Sequence, residues 1–110
     1  MVIIKPLIQT KVAEAALTTQ YIAPVASKAV IDKFTATNIT TNPRVITVHI
    51  VPSGGTASTG NEIVTSYTIG AYEAVTLTAL IGHVLAPGDF IATNSLEGFI
   101  VIRASGREII

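Results

Sequence analysis

The segment Arg44-Val-Ile-Thr-Val-His-Ile-Val51, which runs into Pro52-Ser-Gly-Gly55, carries the clearest structural signal in this sequence. Within it Ile46, Val48 and Ile50 alternate with more polar residues, which is the period-two pattern of a half-buried strand. The proline, serine and glycines that follow are typical of a turn. The segment therefore predicts a β-strand that ends in a tight loop.

The same alternation recurs along most of the chain. Turn signals rich in Pro, Gly, Asn and Asp separate the apolar segments at intervals of roughly ten residues, a spacing typical of sandwiches and barrels. We therefore predict an all-β fold, an antiparallel, jelly-roll-like β-sandwich of about eight strands. The further segments with a strand pattern are residues 17–22, 29–38, 62–69, 74–79, 89–94 and 99–105.

Composition supports this fold class. The 110 residues include 16 Ile, 11 Val and 15 Thr, and these β-branched side chains lose rotamer freedom in helices and pack well on sheets. The composition therefore argues against a helical bundle, a coiled coil and a disordered chain. The period-two pattern predicts that Val30 and Phe34 share one buried face and that Ile100 and Ile102 share another.

The charge balance excludes several classes of partner and predicts self-association. Seven Lys and Arg residues balance seven Asp and Glu residues, so the sequence shows no electrostatic footprint for nucleic acid or an anionic membrane. Charged residues make up 13% of the chain, against about 25% in typical domains. Several strands are also apolar on both faces. We therefore expect copies of the chain, or a larger assembly, to cover part of the surface.

The N-terminal part of the chain departs from the alternating pattern. We assign residues 1–14 to an N-terminal arm or edge strand and residues 15–110 to the β-sandwich domain. Residues 2–8 are expected to form a strand that pairs outside its own domain, and residues 11–16 a short helix or an irregular arm. Lys5 and Pro6 interrupt the apolar run at the N-terminus, so a signal peptide is not expected, and no segment has the length of a membrane span.

The sequence shows no constellation that demands enzymatic chemistry. His49 and His83 lack the spacing of a metal site, and His49 is interpreted as an exposed strand residue. A triad of Ser53, His83 and Asp89 would lack the usual Gly-x-Ser-x-Gly turn. The chain has no cysteine, which excludes disulfides and thiolate metal sites. We therefore predict no catalytic, cofactor-binding or metal-binding residues.

Few aromatic side chains are expected at the surface, where they could bind a ligand such as a glycan. Phe34, Phe90 and Phe99 are expected in the core, and Tyr72 is the one aromatic side chain expected on the surface. Asn38-Ile-Thr40 matches a glycosylation sequon, but its simpler interpretation is the entry to a turn.

Three motifs in a fixed order resemble a known family. They are Val51-Pro-Ser-Gly-Gly55, Gly82-His-Val-Leu-Ala-Pro-Gly-Asp89 and Ile102-Arg-Ala-Ser-Gly-Arg-Glu108. Together they resemble small virion structural proteins of tailed bacteriophages, over roughly residues 15–110. The resemblance implies a β-sandwich subunit of the particle, and it supplies no catalytic residues.

These arguments lead to three functional hypotheses. The first is a non-enzymatic capsid decoration (cement) protein of the virion, which is assembled in the bacterial cytoplasm. In this hypothesis the chain forms a homo-oligomer, preferably a trimer, that binds the major capsid protein. The second is a neck, tail or fibre-base component that binds neck or tail proteins. The third is a receptor- or glycan-binding module that uses Tyr72. The residues expected at interfaces are Val2, Ile3, Ile4, Leu7, Ser53, Gly54, Gly55, Thr56 and Tyr72.

Overall fold

The computed structural model describes all residues, 1–110, and consists of two antiparallel sheets packed face to face. Two single-turn 3₁₀ segments, Thr59–Asn61 and Thr78–Leu80, are the helical elements. The molecule measures 43 × 26 × 19 Å along its principal axes. The strands are β1 (Val2–Val12), β2 (Thr18–Ile22), β3 (Lys28–Asn38), β4 (Arg44–Val51), β5 (Glu62–Ile69), β6 (Ala74–Thr76), β7 (Val84–Leu85), β8 (Phe90–Asn94) and β9 (Ile100–Ile109).

The strand order is that of a jelly roll. The strands pair from the two ends of the chain inwards: β1 with β9, β2 with β8, β3 with β6 and β4 with β5. The result is one sheet in the order β1-β9-β3-β6, with the two-residue β7 also beside β3, and a second sheet in the order β2-β8-β4-β5. The predicted jelly-roll-like β-sandwich is thus confirmed, with nine strands where about eight were expected.

The core lies between the two sheets and is built from aliphatic side chains around one phenylalanine. Alternation along β9 buries Ile100, Ile102 and Ala104 on the inner face, as the period-two pattern predicts. The largest fully buried apolar side chains are Phe34, Ile31, Ile46, Ile69, Leu80, Leu85, Ile91, Ile100 and Ile102.

A β-bulge changes the predicted face of one residue. The register between β3 and β9 shifts between Ile31 and Lys33, so the alternation before the bulge is out of phase with the alternation after it. Ile31 and Phe34 therefore both face the core, while Val30 faces outward and is only half-buried. The expectation that Val30 and Phe34 share a face is wrong for this reason.

The N-terminal strand lies at the edge of the first sheet. β1 pairs antiparallel with β9 of its own chain along most of its length, so the expected pairing of residues 2–8 outside the domain could use only the opposite edge of β1. The complementary partner is the C-terminal strand, which spacing along the sequence does not reveal. The other edge of β1 has no strand partner.

Two local expectations are corrected. Residues 11–16 form no helix, because Lys11 and Val12 continue β1 and the chain is irregular from Ala13 to Ala16. Phe99 is about half exposed instead of buried, since its backbone adopts a φ of 69° and its ring lies 5.2 Å from the guanidinium carbon of Arg44. The cation–π contact gives this ring a partner at the surface.

Candidate interaction site

The candidate interaction site is a surface of the sandwich. No group of three or more His, Asp or Glu side chains is arranged to hold a metal ion. Neither helical segment is long and apolar enough to cross a lipid bilayer. Ser53 and Asp89 are neighbours, but their contact is a hydrogen bond of 2.9 Å from the Ser53 backbone N–H to the Asp89 carboxylate, and it involves no histidine.

The topology divides the predicted interface residues between two ends of the sandwich. β1 begins, and β2, β4 and β9 end, at the same end of the molecule, so residues 2–4 and 53–56 both lie there. Tyr72 lies at the opposite end, in the turn between β5 and β6, where its backbone N–H donates to the Thr40 carbonyl oxygen. One interface cannot use both sets of residues on a single copy.

The first of these ends carries a concentration of exposed aliphatic side chains, and we call it the apolar end. Its members come from both sheets and from the turn between β2 and β3. Val25, in that turn, is 91% exposed and Ile4 is 81% exposed. Isolated surface aliphatic residues need no explanation, but a group of them at one end is a candidate interaction surface. The apolar end consists of Met1, Val2, Ile3, Ile4, Ile22, Val25, Val84, Ile109 and Ile110.

Leu7 does not belong to this surface. The register of β1 against β9 shifts between Pro6 and Ile8, so Leu7 and Ile8 both turn towards the core and are buried. Leu7 packs over Gly106, where a side chain would meet the Leu7 Cδ1 atom at 2.8 Å. The prediction of Leu7 as an interface residue is therefore corrected to a core position.

The loop that begins with Pro52-Ser-Gly-Gly55 is exposed but fastened. Asp89 accepts hydrogen bonds of 2.9 Å from the backbone N–H groups of both Ser53 and Ala86, which ties two loops together. Gly88 has a φ of +87°, and the Asp89 N–H donates to the Ala86 carbonyl at 2.9 Å, as in a type II turn with glycine at its third position. Ser53, Gly54, Gly55 and Thr56 are therefore displayed on a held loop beside the apolar end.

The later part of the same loop, residues 58–61, is held by His49, which was predicted to be exposed. His49 is buried, and its Nδ1 atom lies 2.9 Å from Asn61 Oδ1 and 3.1 Å from the Ser58 carbonyl oxygen. Both partners are acceptors, so Nδ1 carries the proton. The loop thus covers the second face of β4, which reduces the number of apolar strand faces that require a neighbouring copy.

A partly buried polar contact links the two sheets beneath the apolar end. The Tyr21 hydroxyl donates to Glu108 Oε2 at 2.5 Å, and Lys5 Nζ lies 3.5 Å from the same oxygen. Burial, together with this hydrogen bond, raises the pKa of Tyr21 well above its usual value. The contact fixes the position of β1 relative to β2 at this end.

The opposite end is organised around a buried asparagine. The Asn38 amide donates to the carbonyl oxygens of Asn42, at 2.7 Å, and Ile69, at 3.0 Å, and its oxygen accepts from the Thr40 backbone and hydroxyl. Both polar atoms of its side chain bond residues of the turn that follows, and the amide also bonds the last residue of β5, so the predicted turn-entry role is confirmed. Tyr72, 68% exposed, is displayed beside this turn.

The largest cleft lies on the open side of the sandwich between β5 and β6. It has a volume of about 240 Å³ and contains three threonine side chains and Tyr67 but no charged group. Tyr67 pairs with Ile46 and is partly exposed because β5 is the edge strand of its sheet and borders this cleft. The residues that line the cleft are Ile63, Val64, Thr65, Tyr67, Thr76, Leu77, Thr78 and Ala79.

The sequence did not identify those residues of the apolar end that come together only in the folded chain. Val25, Ile22 and Val84 were not singled out because each is an isolated aliphatic residue in a separate segment. Comparisons with protein-family models, curated proteins and solved structures find no match to this chain.

Proposed function

We propose that this chain is a non-enzymatic structural subunit of a tailed-bacteriophage particle, and that it decorates the capsid as a cement protein. In this proposal copies of the chain cluster, preferably as trimers, on the major capsid protein and bridge neighbouring capsid subunits against internal pressure. A place in the neck, tail or fibre base would use the same fold with a different symmetry.

The apolar end is the observation that carries this proposal. A protein with zero net charge has no colloidal repulsion, and nine exposed aliphatic residues at one end favour association in water. Covering them contributes about 25 cal/mol for each Å² of apolar surface buried. In a shell, several such contacts act together, so each contact can be small.

The three-motif resemblance and the fold support the viral part of the proposal. Jelly rolls occur in viral capsid proteins and also in lectins, so the fold is compatible with all three hypotheses and selects none of them. The motif residues of this chain have structural roles: Gly88 and Asp89 shape and fasten a loop, and Gly106 allows close packing of β1, β9 and β3.

The proposal is tested by light scattering of the purified protein, alone and with heads of the phage that encodes it. The variant Val25→Asp places a charge in the apolar end, while Leu96→Asp places one at an exposed aliphatic position at the opposite end. We expect Val25→Asp to reduce both self-association and head binding, and Leu96→Asp to leave both unchanged. Equal behaviour of the two variants, or absence of head binding by the unmodified chain, would contradict the proposal.

The exposure of Tyr72 favours one alternative, a receptor- or glycan-binding module. Its ring projects from the turn at the end of the molecule opposite to the apolar end. This alternative predicts that Tyr72→Ala particles lose host adsorption while retaining their protein composition. Unchanged adsorption would remove it.

A further inference from the structure

We propose that two copies of this chain pair through the free edge of β1, antiparallel, about a two-fold axis at Ile3. This inference rests on the proposed self-association and specifies one of its contacts. This pairing would join the β1-β9-β3-β6 sheets of the two copies into one continuous sheet.

The hydrogen-bond pattern of β1 shows which of its backbone groups are free. Met1 and Ile110 exchange both backbone hydrogen bonds, each of 2.9 Å, so they form a hydrogen-bonded pair of the antiparallel ladder. Such pairs alternate with non-hydrogen-bonded pairs, and the register is regular from Val2 to Pro6. The N–H and C=O groups of Val2 and Ile4 therefore point away from β9, towards the open edge. Pro6, which has no N–H, occupies the next outward position.

Pro6 selects the register of the proposed pairing. With the axis at Ile3, Val2 of each copy lies opposite Ile4 of the other, and each of these two pairs exchanges two hydrogen bonds. With the axis at Ile4, Val2 would lie opposite Pro6, whose ring would face the Val2 carbonyl oxygen in place of a donor. The register centred on Ile3 therefore pairs every outward N–H and C=O group of Val2 and Ile4.

The side chains match this register. Ile4 is 81% exposed and Val2 is 55% exposed, and both lie on the outer face, where each would contact the other residue on the second copy. Ile3, 36% exposed, would meet its own equivalent on the inner side. Residues 1–4 carry no charged side chain to oppose the pairing, and Lys5 is already paired with Glu108. Pro6 and the bulge at Leu7 limit the part of this edge that can pair, and residues 2–4 remain an open, apolar edge available for strand pairing.

A second copy is the occupant that this edge fits best because the edge is complementary to itself. A two-fold axis brings identical surfaces together, so donors, acceptors and aliphatic side chains must match their own equivalents, and here they do. A two-fold contact produces a dimer by itself. If loop 53–56 and the rest of the apolar end hold three-fold clusters, the same contact links two clusters into a hexamer.

Cysteine cross-linking tests the register directly, since the chain has no cysteine of its own. In the proposed pairing the two Ile3 side chains form a non-hydrogen-bonded pair, whose Cα atoms are about 4.5 Å apart, within disulfide reach. We expect Ile3→Cys to give a disulfide-linked dimer under mild oxidation. The control Lys5→Cys lies on the same side of β1, but its two copies would be offset by about 13 Å along the strands. We expect no dimer from it.

The variant Ile4→Pro tests the hydrogen bonds while leaving the bonds to β9 intact, because the Ile4 N–H points outward. Each copy loses one donor to the other, so we expect the dissociation constant to rise about thirtyfold by sedimentation, with unchanged circular dichroism. Ile4→Val retains the donor and is the matched control. An Ile4→Pro protein that is folded and associates as tightly as Ile4→Val would overturn the inference.

The outcomes separate this inference from the proposed function. A dimer or hexamer whose Ile3→Cys variant cross-links supports both. A stable assembly, including a trimer, that shows no selective cross-link at Ile3 overturns the β1 pairing and leaves the proposed self-association standing. A monomer at all concentrations overturns both.

Discussion

Replacing Gly106 with alanine should disrupt the junction of three strands. A Cβ atom at this position would lie 2.1 Å from the Val30 carbonyl oxygen and 2.8 Å from Leu7 Cδ1. The Val30 oxygen belongs to the backbone of β3, so it cannot rotate away as a flexible side chain could. β3 and β9 must therefore separate locally, at the pairs that Gly106 and its neighbour make with Ile31 and Val30.

The size of the effect follows from two contributions. Overpacking of a tight site costs about 1–3 kcal/mol. Two weakened ladder hydrogen bonds add about 1 kcal/mol each. The free energy of unfolding should therefore fall by about 3–5 kcal/mol. For a chain of 110 residues the entropy of unfolding is about 0.23 kcal/mol per kelvin, which corresponds to a decrease in Tm of about 13–22 °C.

Thermal unfolding followed by circular dichroism measures this decrease, at one fixed protein concentration because association shifts Tm. Gly60→Ala is the control, since its Cβ would meet only Ser58 Oγ, at 3.7 Å, and its φ is not positive. We expect this control to have an unchanged or slightly raised Tm. If the Tm of Gly106→Ala lies within about 2 °C of the Tm of Gly60→Ala, the close packing of β1, β9 and β3 described above is refuted.

Three further predictions concern polar groups. Asn38→Ala should lower the free energy of unfolding in urea by about 2–4 kcal/mol, because the Ile69 carbonyl loses its buried partner; a loss below about 1 kcal/mol would contradict this role. The raised pKa of Tyr21 keeps its phenol protonated in the folded chain at a pH where the unfolded chain, with a usual pKa of 10.0, ionises. Stability should therefore fall as pH rises above 10.0, more steeply than in Tyr21→Phe, and parallel pH profiles would refute this. Asp89→Ala should speed amide hydrogen exchange at Ser53, and unchanged exchange would show that the loop is held by other contacts.

The fold class was predictable because it depends on local alternation and turn chemistry. Ile100, Ile102 and Ala104 share a buried face as expected, and Gly88 has the positive φ that its turn requires. The wrong predictions of which face a side chain occupies arise at β-bulges. There one extra residue puts the side chains before the bulge out of step with the alternation after it. Val30 and Leu7 were misassigned for this reason, and nothing in their local sequence marks the bulges.

The candidate site was only partly predictable because it is assembled from distant segments. Val2, Ile3 and Ile4 stood out as an apolar N-terminal run, and their exposure places them at the apolar end. The contribution of Val25 depends on the turn between β2 and β3, which places it at the same end of the molecule as Val2 and Ile4. The burial of His49 likewise depends on a loop that folds back over β4.

Self-association is the central claim, and the mass of the purified chain in solution tests it most directly. Light scattering over a range of concentrations should give a multiple of the 11.5 kDa monomer, and Val25→Asp should shift that mass towards the monomer. A mass of 11.5 kDa at every concentration, with and without phage heads, would contradict the claim.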